Sequence, residues 1–129
     1  MPTVLLVDDS PVILKAIRAM LLDHPDIDVV GAVLTLTEAI LVNEELHPSV
    51  TVLDLGMTEG EEAKRQADEL VGNSKTVVLM TLLPEQDMKP LLEAIGVASC
   101  IDKMNLYSEL PRAIREAHQI ASQQLSKVG

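Results

Sequence analysis

Short, unbroken apolar runs alternate along the chain with longer stretches in which apolar residues recur every third or fourth position. The runs are Thr3–Val7, Val29–Leu34, Val50–Leu53, Thr76–Met80 and Cys100–Ile101 with their neighbours. Three of them, VLLV, VTVL and TVVLM, are continuous, the pattern of strands covered on both faces of a parallel sheet. The stretches between them predict helices. Ser10-Pro11 supplies an N-cap and a proline at the first helical position, followed by the stripe Ile13, Ala16, Ile17, Met20 and Leu21. A second helix is expected from Thr37-Glu38 to about Leu46. A third covers Glu61–Val71, with Ala63, Ala67, Leu70 and Val71 inward. The fourth is expected over Asp87–Ile95, with Pro90 in its first turn and Gly96 closing it. Ser108 opens the last, with Pro111 in its first turn and Leu110, Ile114, Ala117 and Ala121 facing inward.

Five successive βα units predict an α/β fold, a five-stranded doubly wound parallel sheet with helices on both faces, because parallel crossovers are right-handed and each must cover a sheet face. One domain is expected over residues 1–125, with 126–129 as a tail. At 129 residues the chain is long enough for one continuous core. With one Tyr and neither Phe nor Trp, that core must be built from Val, Leu, Ile, Met and Ala. The formal net charge of −10 disfavours nucleic acid and anionic membrane, which both need clustered Lys and Arg. A single cysteine, Cys100, excludes an internal disulfide and a thiolate zinc cluster. No apolar stretch approaches a membrane span and no signal-peptide pattern opens the chain, so a cytoplasmic protein is expected.

Ligands of doubly wound folds sit outside the carboxyl ends of the strands. Strand one ends in Asp8-Asp9, strand three in Asp54, strand four in Thr81 and strand five in Lys103. Adjacent carboxylates repel one another and resist desolvation, so such a cluster requires a cation. Oxygen ligands with room for water suit Mg²⁺. A hydroxyl and an ammonium beside that ion suit a phosphoryl group. With no cysteine or histidine on this rim, a carboxylate is the nucleophile left, and aspartyl phosphate is an established covalent species. His24, His47 and His118 have no ligand spacing and are expected at the surface.

The segments VLLVDDSPVILKAI, VLDLGM, VVLMT and CIDKM, in that order, make the chain resemble the receiver domains of response regulators, the phosphoacceptor modules of two-component signalling. The resemblance covers about residues 3–121. It implies a flavodoxin-like (βα)5 fold and a phosphoryl group taken from a sensor histidine kinase or phosphotransfer protein. Asp54 matches the phosphoacceptor, Asp9 the direct Mg²⁺ ligand, and Asp8 the acidic partner that holds the ion mainly through water. Gly56 would offer its backbone carbonyl to the metal, Thr81 is the switching hydroxyl, and Lys103 pairs with acceptor and phosphoryl oxygens. The output would be a changed face of helix four, strand five and helix five, read by a downstream protein, an effector domain or a second copy.

Four positions depart from the family pattern. Thr58-Glu59-Gly60 replace the expected proline and glycine spacing after Met57; Leu82 stands where a small residue is usual; Cys100 replaces an aromatic or histidine ring; and Met104 replaces the proline that often follows the lysine. These leave a second reading, a receiver that binds partners without phosphorylation. An aspartyl phosphatase is disfavoured, because that class wants an Asp where Gly56 stands. Flavin binding is disfavoured by the lack of phosphate-cradling loops and of aromatics to stack the ring.

Overall fold

The computed structural model describes residues 1–93 and 96–128. Five strands, β1 (Thr3–Val7), β2 (Asp28–Val33), β3 (Val50–Asp54), β4 (Val77–Thr81) and β5 (Val97–Asp102), form one parallel sheet in the order β2-β1-β3-β4-β5. Helices α1 (Pro11–Leu21), α2 (Leu36–Leu46), α3 (Glu61–Asn73), α4 (Lys89–Leu92) and α5 (Leu106–Val128) complete the alternation.

Successive residues of a strand point to opposite faces, so each continuous apolar run feeds two cores. Val4, Leu6, Val50, Val52, Val78, Met80 and Ile101 meet Leu14, Ile17 and Met20 of α1 and Leu110, Ile114 and Ala117 of α5. Leu5, Val7, Leu53, Val77 and Leu79 meet Leu36 and Ala39 of α2 and Ala67 and Leu70 of α3. Each fully buried large aliphatic contributes about 1.5–3 kcal/mol relative to exposure.

The differences from expectation lie at element ends. Strand two starts and stops one residue early, strand four is shifted one residue later to end on Thr81, and strand five extends to both sides of Cys100–Ile101. On α1 it is Leu14 that turns inward, whereas Ala16 is exposed, because the buried stripe centres on Ile17. Helix α2 starts one residue before Thr37, capped by Thr35: its Oγ1 accepts the Glu38 N–H (3.1 Å) and donates to the Glu38 carboxylate (3.1 Å). Helix α4 is one turn, preceded by a 3₁₀ turn at Glu85–Asp87 and followed by a turn at Glu93, so it is shorter than expected; residues 94 and 95 of the expected helix lie outside the described residues. Helix α5 starts two residues before Ser108, which moves Pro111 beyond the first turn. It also runs through residues 126–128, expected as tail, since Gln, Leu, Ser and Lys contain nothing that stops a helix.

Candidate functional site

The chain reverses direction across the sheet between β1 and β3, and this switch point opens a crevice at their carboxyl ends. The β1–β3 register aligns Val7 with Leu53, and the next residues, Asp8 and Asp54, lie at its floor. Asp8 is fully buried and Asp54 nearly so, while Asp9 is exposed. One carboxylate oxygen from each of the three lies within 4.8 Å of the others.

Backbone donors fix these carboxylates. Asp8 Oδ1 accepts the Ser10 N–H (2.9 Å), and Ser10 Oγ accepts the Ile13 N–H (3.3 Å), so the turn that ends β1 also caps α1. Asp54 Oδ1 accepts the Gly56 N–H (3.1 Å). Lys103, in the 3₁₀ turn that follows β5, reaches across and bridges two acids, its Nζ 2.9 Å from Asp8 Oδ2 and 3.3 Å from Asp54 Oδ1. Three carboxylates against one ammonium leave two net negative charges in a mostly buried cluster.

The electrostatics follow from that imbalance. Burial, first, pushes the Asp54 carboxyl above its ordinary value; the Asp8 charge adds to this, and the Gly56 N–H and Lys103 offset it in part. Burial pulls the Lys103 ammonium down, but its contacts with Asp8 and Asp54 outweigh that and leave it above its ordinary value. All three acidic groups offer hard oxygen donors, and a divalent cation such as Mg²⁺ matches their charge and spacing.

Beside Asp54 lies a cleft of about 500 Å³. Its walls are the acceptor loop, with Gly56, Thr58 and Glu59, and the end of β4, with Thr81, Leu82 and Leu83. Thr81 is buried, and its Oγ1 accepts the Leu83 N–H (3.0 Å). Thus Asp8, Asp9, Asp54 and Lys103 come together, with Thr81 and Gly56 on the adjoining cleft. Sequence reasoning found Ser10 as the cap of α1 but missed its N–H contact with Asp8, the Thr81–Leu83 turn and the places of Thr58 and Glu59 on the cleft wall. The available signal for the turns was the strand-end Asp or Thr itself, whose side chain accepts the backbone N–H two residues on.

Cys100 is half-buried in β5, and burial pushes its thiol up. Met104 and Tyr107 are exposed beyond Lys103. Two histidines expected at the surface are half-buried instead. His24 Nδ1 lies 2.9 Å from Arg115, and burial lowers the His118 imidazole below its ordinary value.

A doubly wound parallel sheet with an acidic, lysine-bridged cluster at its switch point defines a flavodoxin-like domain. No protein-family profile matches the chain. Individual relatives do. The transcriptional regulatory protein LiaR of Bacillus subtilis is 32% identical over 127 residues, 97% of this chain. The response regulator protein VraR of Staphylococcus saprophyticus is 33% identical over 117 residues, 89% of it. The chain spans 60% and 56% of the length of these two relatives. Among solved structures, the response regulator domain of Thermotoga maritima CheB superposes with a TM-score of 0.73 at 26% identity, covering 92% of this chain and 97% of that one. The chain belongs to the response-regulator family and is a receiver domain. Among the described residues, no helix is long and apolar enough to cross a membrane.

Proposed function

We propose that the chain is a phosphorylatable switch in which Asp54 accepts a phosphoryl group from the phosphohistidine of a sensor kinase or phosphotransfer protein. The observation that carries this reading is the Asp54 carboxylate itself. It is buried, ion-paired with Lys103, grouped with Asp8 and Asp9, and lines the cleft. Mg²⁺ held by Asp8, Asp9, Asp54 and the Gly56 carbonyl would neutralise the cluster and the charge of an incoming phosphoryl group.

The chain's own residues do the rest. The Gly56 N–H orients one Asp54 oxygen, leaving the other to attack phosphorus, and the donor's histidine nitrogen leaves with the electron pair of the broken N–P bond. Lys103, 3.3 Å from Asp54, stays charged and supplies a fixed positive group as phosphoryl charge builds. Thr81, on the same cleft, donates its hydroxyl proton to a phosphoryl oxygen while its oxygen still accepts the Leu83 N–H. That bond biases the β4–α4 segment, and the population shifts between two arrangements of the α4, β5 and α5 face. A downstream protein, an effector domain or a second copy reads that face. The domain turns over no metabolite: phosphoryl transfer onto Asp54 and its hydrolysis are its only chemistry.

The test is intact-mass spectrometry after incubation with acetyl phosphate and Mg²⁺. Wild type gains one phosphoryl group, the gain disappears with EDTA, and Asp54→Asn shows none. A folded wild-type protein that gains nothing would leave a receiver that binds partners without phosphorylation.

A further inference from the structure

β2 is an edge strand: among the described residues its only ladder partner is β1. Its Val29, Val30, Gly31 and Ala32 are half-exposed, and from Asp28 to Val33 it has neither the lysine nor the proline that commonly blunts an edge. A helix flanks it on each face of the sheet, and the two flanks carry opposite charge. On one face a groove of about 470 Å³ runs between Lys15, Arg18 and Leu22 of α1 and Asp28 and Val29 of β2. Lys15 and Arg18 are exposed, and α1 contains no acidic residue. On the other face Val42 of α2 lies against β2, its Cγ1 3.3 Å from where a side chain at Gly31 would begin.

Glu38 and Glu45, one turn to either side of Val42, share its flank and are exposed, and α2 contains no basic residue. Among the described residues, none of these four charged groups takes part in an ion pair. Leu22 and Leu41, 81% and 60% exposed, stand beside them in water. Both halves of a complementary contact are thus present on one chain, and their heights agree. Val7 pairs with Val33 across the sheet, and α1 and α2 start within four residues of that pair, so both helices descend from one level. Counted down from Pro11 and Leu36, Lys15 lies within a turn of the level of Glu38, and Arg18 within a turn of the level of Glu45.

We propose that the β2 edge is a self-association surface, on which a second copy of this chain docks edge to edge with Lys15 and Arg18 of each copy facing Glu38 and Glu45 of the other. The charges select the symmetry. A two-fold axis perpendicular to the sheet would set α1 against α1 and α2 against α2, like charge against like. A two-fold axis in the sheet plane, parallel to β2, sets α1 of each copy beside α2 of the other, and every contact then occurs twice. The register shift at β2 leaves Val30 without a partner in β1, so the helix flanks, not a continued strand ladder, make the contact. β2 and β5 are opposite edges of the sheet, so docking here leaves the α4, β5 and α5 face free. It does not depend on the acceptor role of Asp54.

The experiment is sedimentation velocity of the unphosphorylated chain over a concentration series, for wild type, Arg18→Glu, Glu45→Lys and an equimolar mixture of the two variants. Wild type should pass from monomer to dimer as concentration rises. Each reversal sets two like-charge pairs in the symmetric contact, and should weaken the dimer roughly ten-fold or more. The mixture should regain the wild-type dimer, because the reversed flanks then face each other. Urea midpoints near wild type for both variants confirm that loss of the dimer is not loss of the fold. A wild type that stays monomeric throughout, or a dimer that neither reversal weakens, overturns the proposal. Loss in both variants without recovery in the mixture overturns it as well, and acetyl phosphate loading of Asp54 stands apart from each of these outcomes.

Discussion

The two ends of the sheet are built from opposite chemistry. At the carboxyl ends of the strands, Asp8, Asp9, Asp54 and Lys103 form a charged cluster that its own residues do not neutralise. At the amino ends, Thr3, Ser49, Thr51, Ser74 and Thr76 form a neutral network. The Ser49 N–H donates to Thr3 Oγ1 (2.9 Å), Ser49 Oγ donates to the Thr3 carbonyl (3.1 Å), and Ser74 Oγ donates to the Leu70 carbonyl (2.6 Å). Buried Thr76 donates to the Ser49 carbonyl (2.9 Å), with the Ala117 carbonyl of α5 also in range (3.2 Å). Satisfied neutral groups stabilise without needing a ligand, whereas a cluster with excess charge is stable only to the extent that something from outside completes it. The lower rim holds the fold; the upper rim stores a response.

The largest break in that contrast should come from Lys103→Met. It strips the one cation from two buried acids, and removing one partner of a buried ion pair costs about 3–5 kcal/mol. Urea unfolding in EDTA measures it. The deficit should shrink in saturating Mg²⁺, because the variant presents three negative charges to the ion instead of two net. Next in size, Thr76→Val removes the donor that ties Ser49 to α5 and leaves a buried carbonyl short of its partner, costing about 1–3 kcal/mol. Mg²⁺ should not change that loss, and acetyl phosphate loading should match wild type. A Mg²⁺-dependent Thr76 effect would show that the two rims are not separate.

How much of this was legible follows the same divide. The strand runs and their two-sided burial were readable, because each VLLV-type run feeds both cores whatever the helices do. The positions of Asp8, Asp54, Thr81 and Lys103 were readable from strand ends alone. Helix boundaries were not: Thr35 and Thr37 both precede a glutamate-bearing turn, and only tertiary position selects Thr35 as the cap. The lower rim went unread altogether. Ser and Thr in strands carry no pattern of their own, and their partners lie across the sheet, Thr3 with Ser49 and Thr76 with α5.

Lowering the pH tests the upper rim more gently. Asp54 has its carboxyl raised in the folded protein, chiefly by burial, so the native state holds its proton more tightly than the unfolded chain. Its ionisation therefore weakens the fold, and stability recovers as the pH falls from above the raised value toward the ordinary carboxylate value. Asp54→Asn should be more stable than wild type at neutral pH in EDTA, and that advantage should narrow as the buffer is acidified. Asp26 behaves in the opposite sense. The Arg115 guanidinium holds it down at about 2, so its contribution persists above the ordinary carboxylate value and is lost only as the pH falls toward about 2. Urea midpoints across the two windows separate the groups, and an Asp54→Asn advantage that is flat with pH would refute the buried-carboxylate account.

The smallest effect expected is at the entry to the lower rim. His47 ends α2 in the left-handed region, φ 46° and ψ 56°, its N–H donating to the Asn43 carbonyl (2.9 Å), and the chain then passes through Pro48 to Ser49. A side chain in that region costs roughly 1–2 kcal/mol. Glycine removes that strain but gives the unfolded chain more freedom, at roughly 0.5–1 kcal/mol. The His47 side chain is exposed and brings no compensating burial. His47→Gly should therefore stabilise the protein by less than about 1 kcal/mol, read as a higher urea midpoint at unchanged slope. Because the change lies on the neutral rim, the gain should be the same in EDTA and in Mg²⁺. A gain that appears only with Mg²⁺ would mean that strain at the lower rim is felt at the acidic site, and the division of labour between the two ends of the sheet would have to be abandoned.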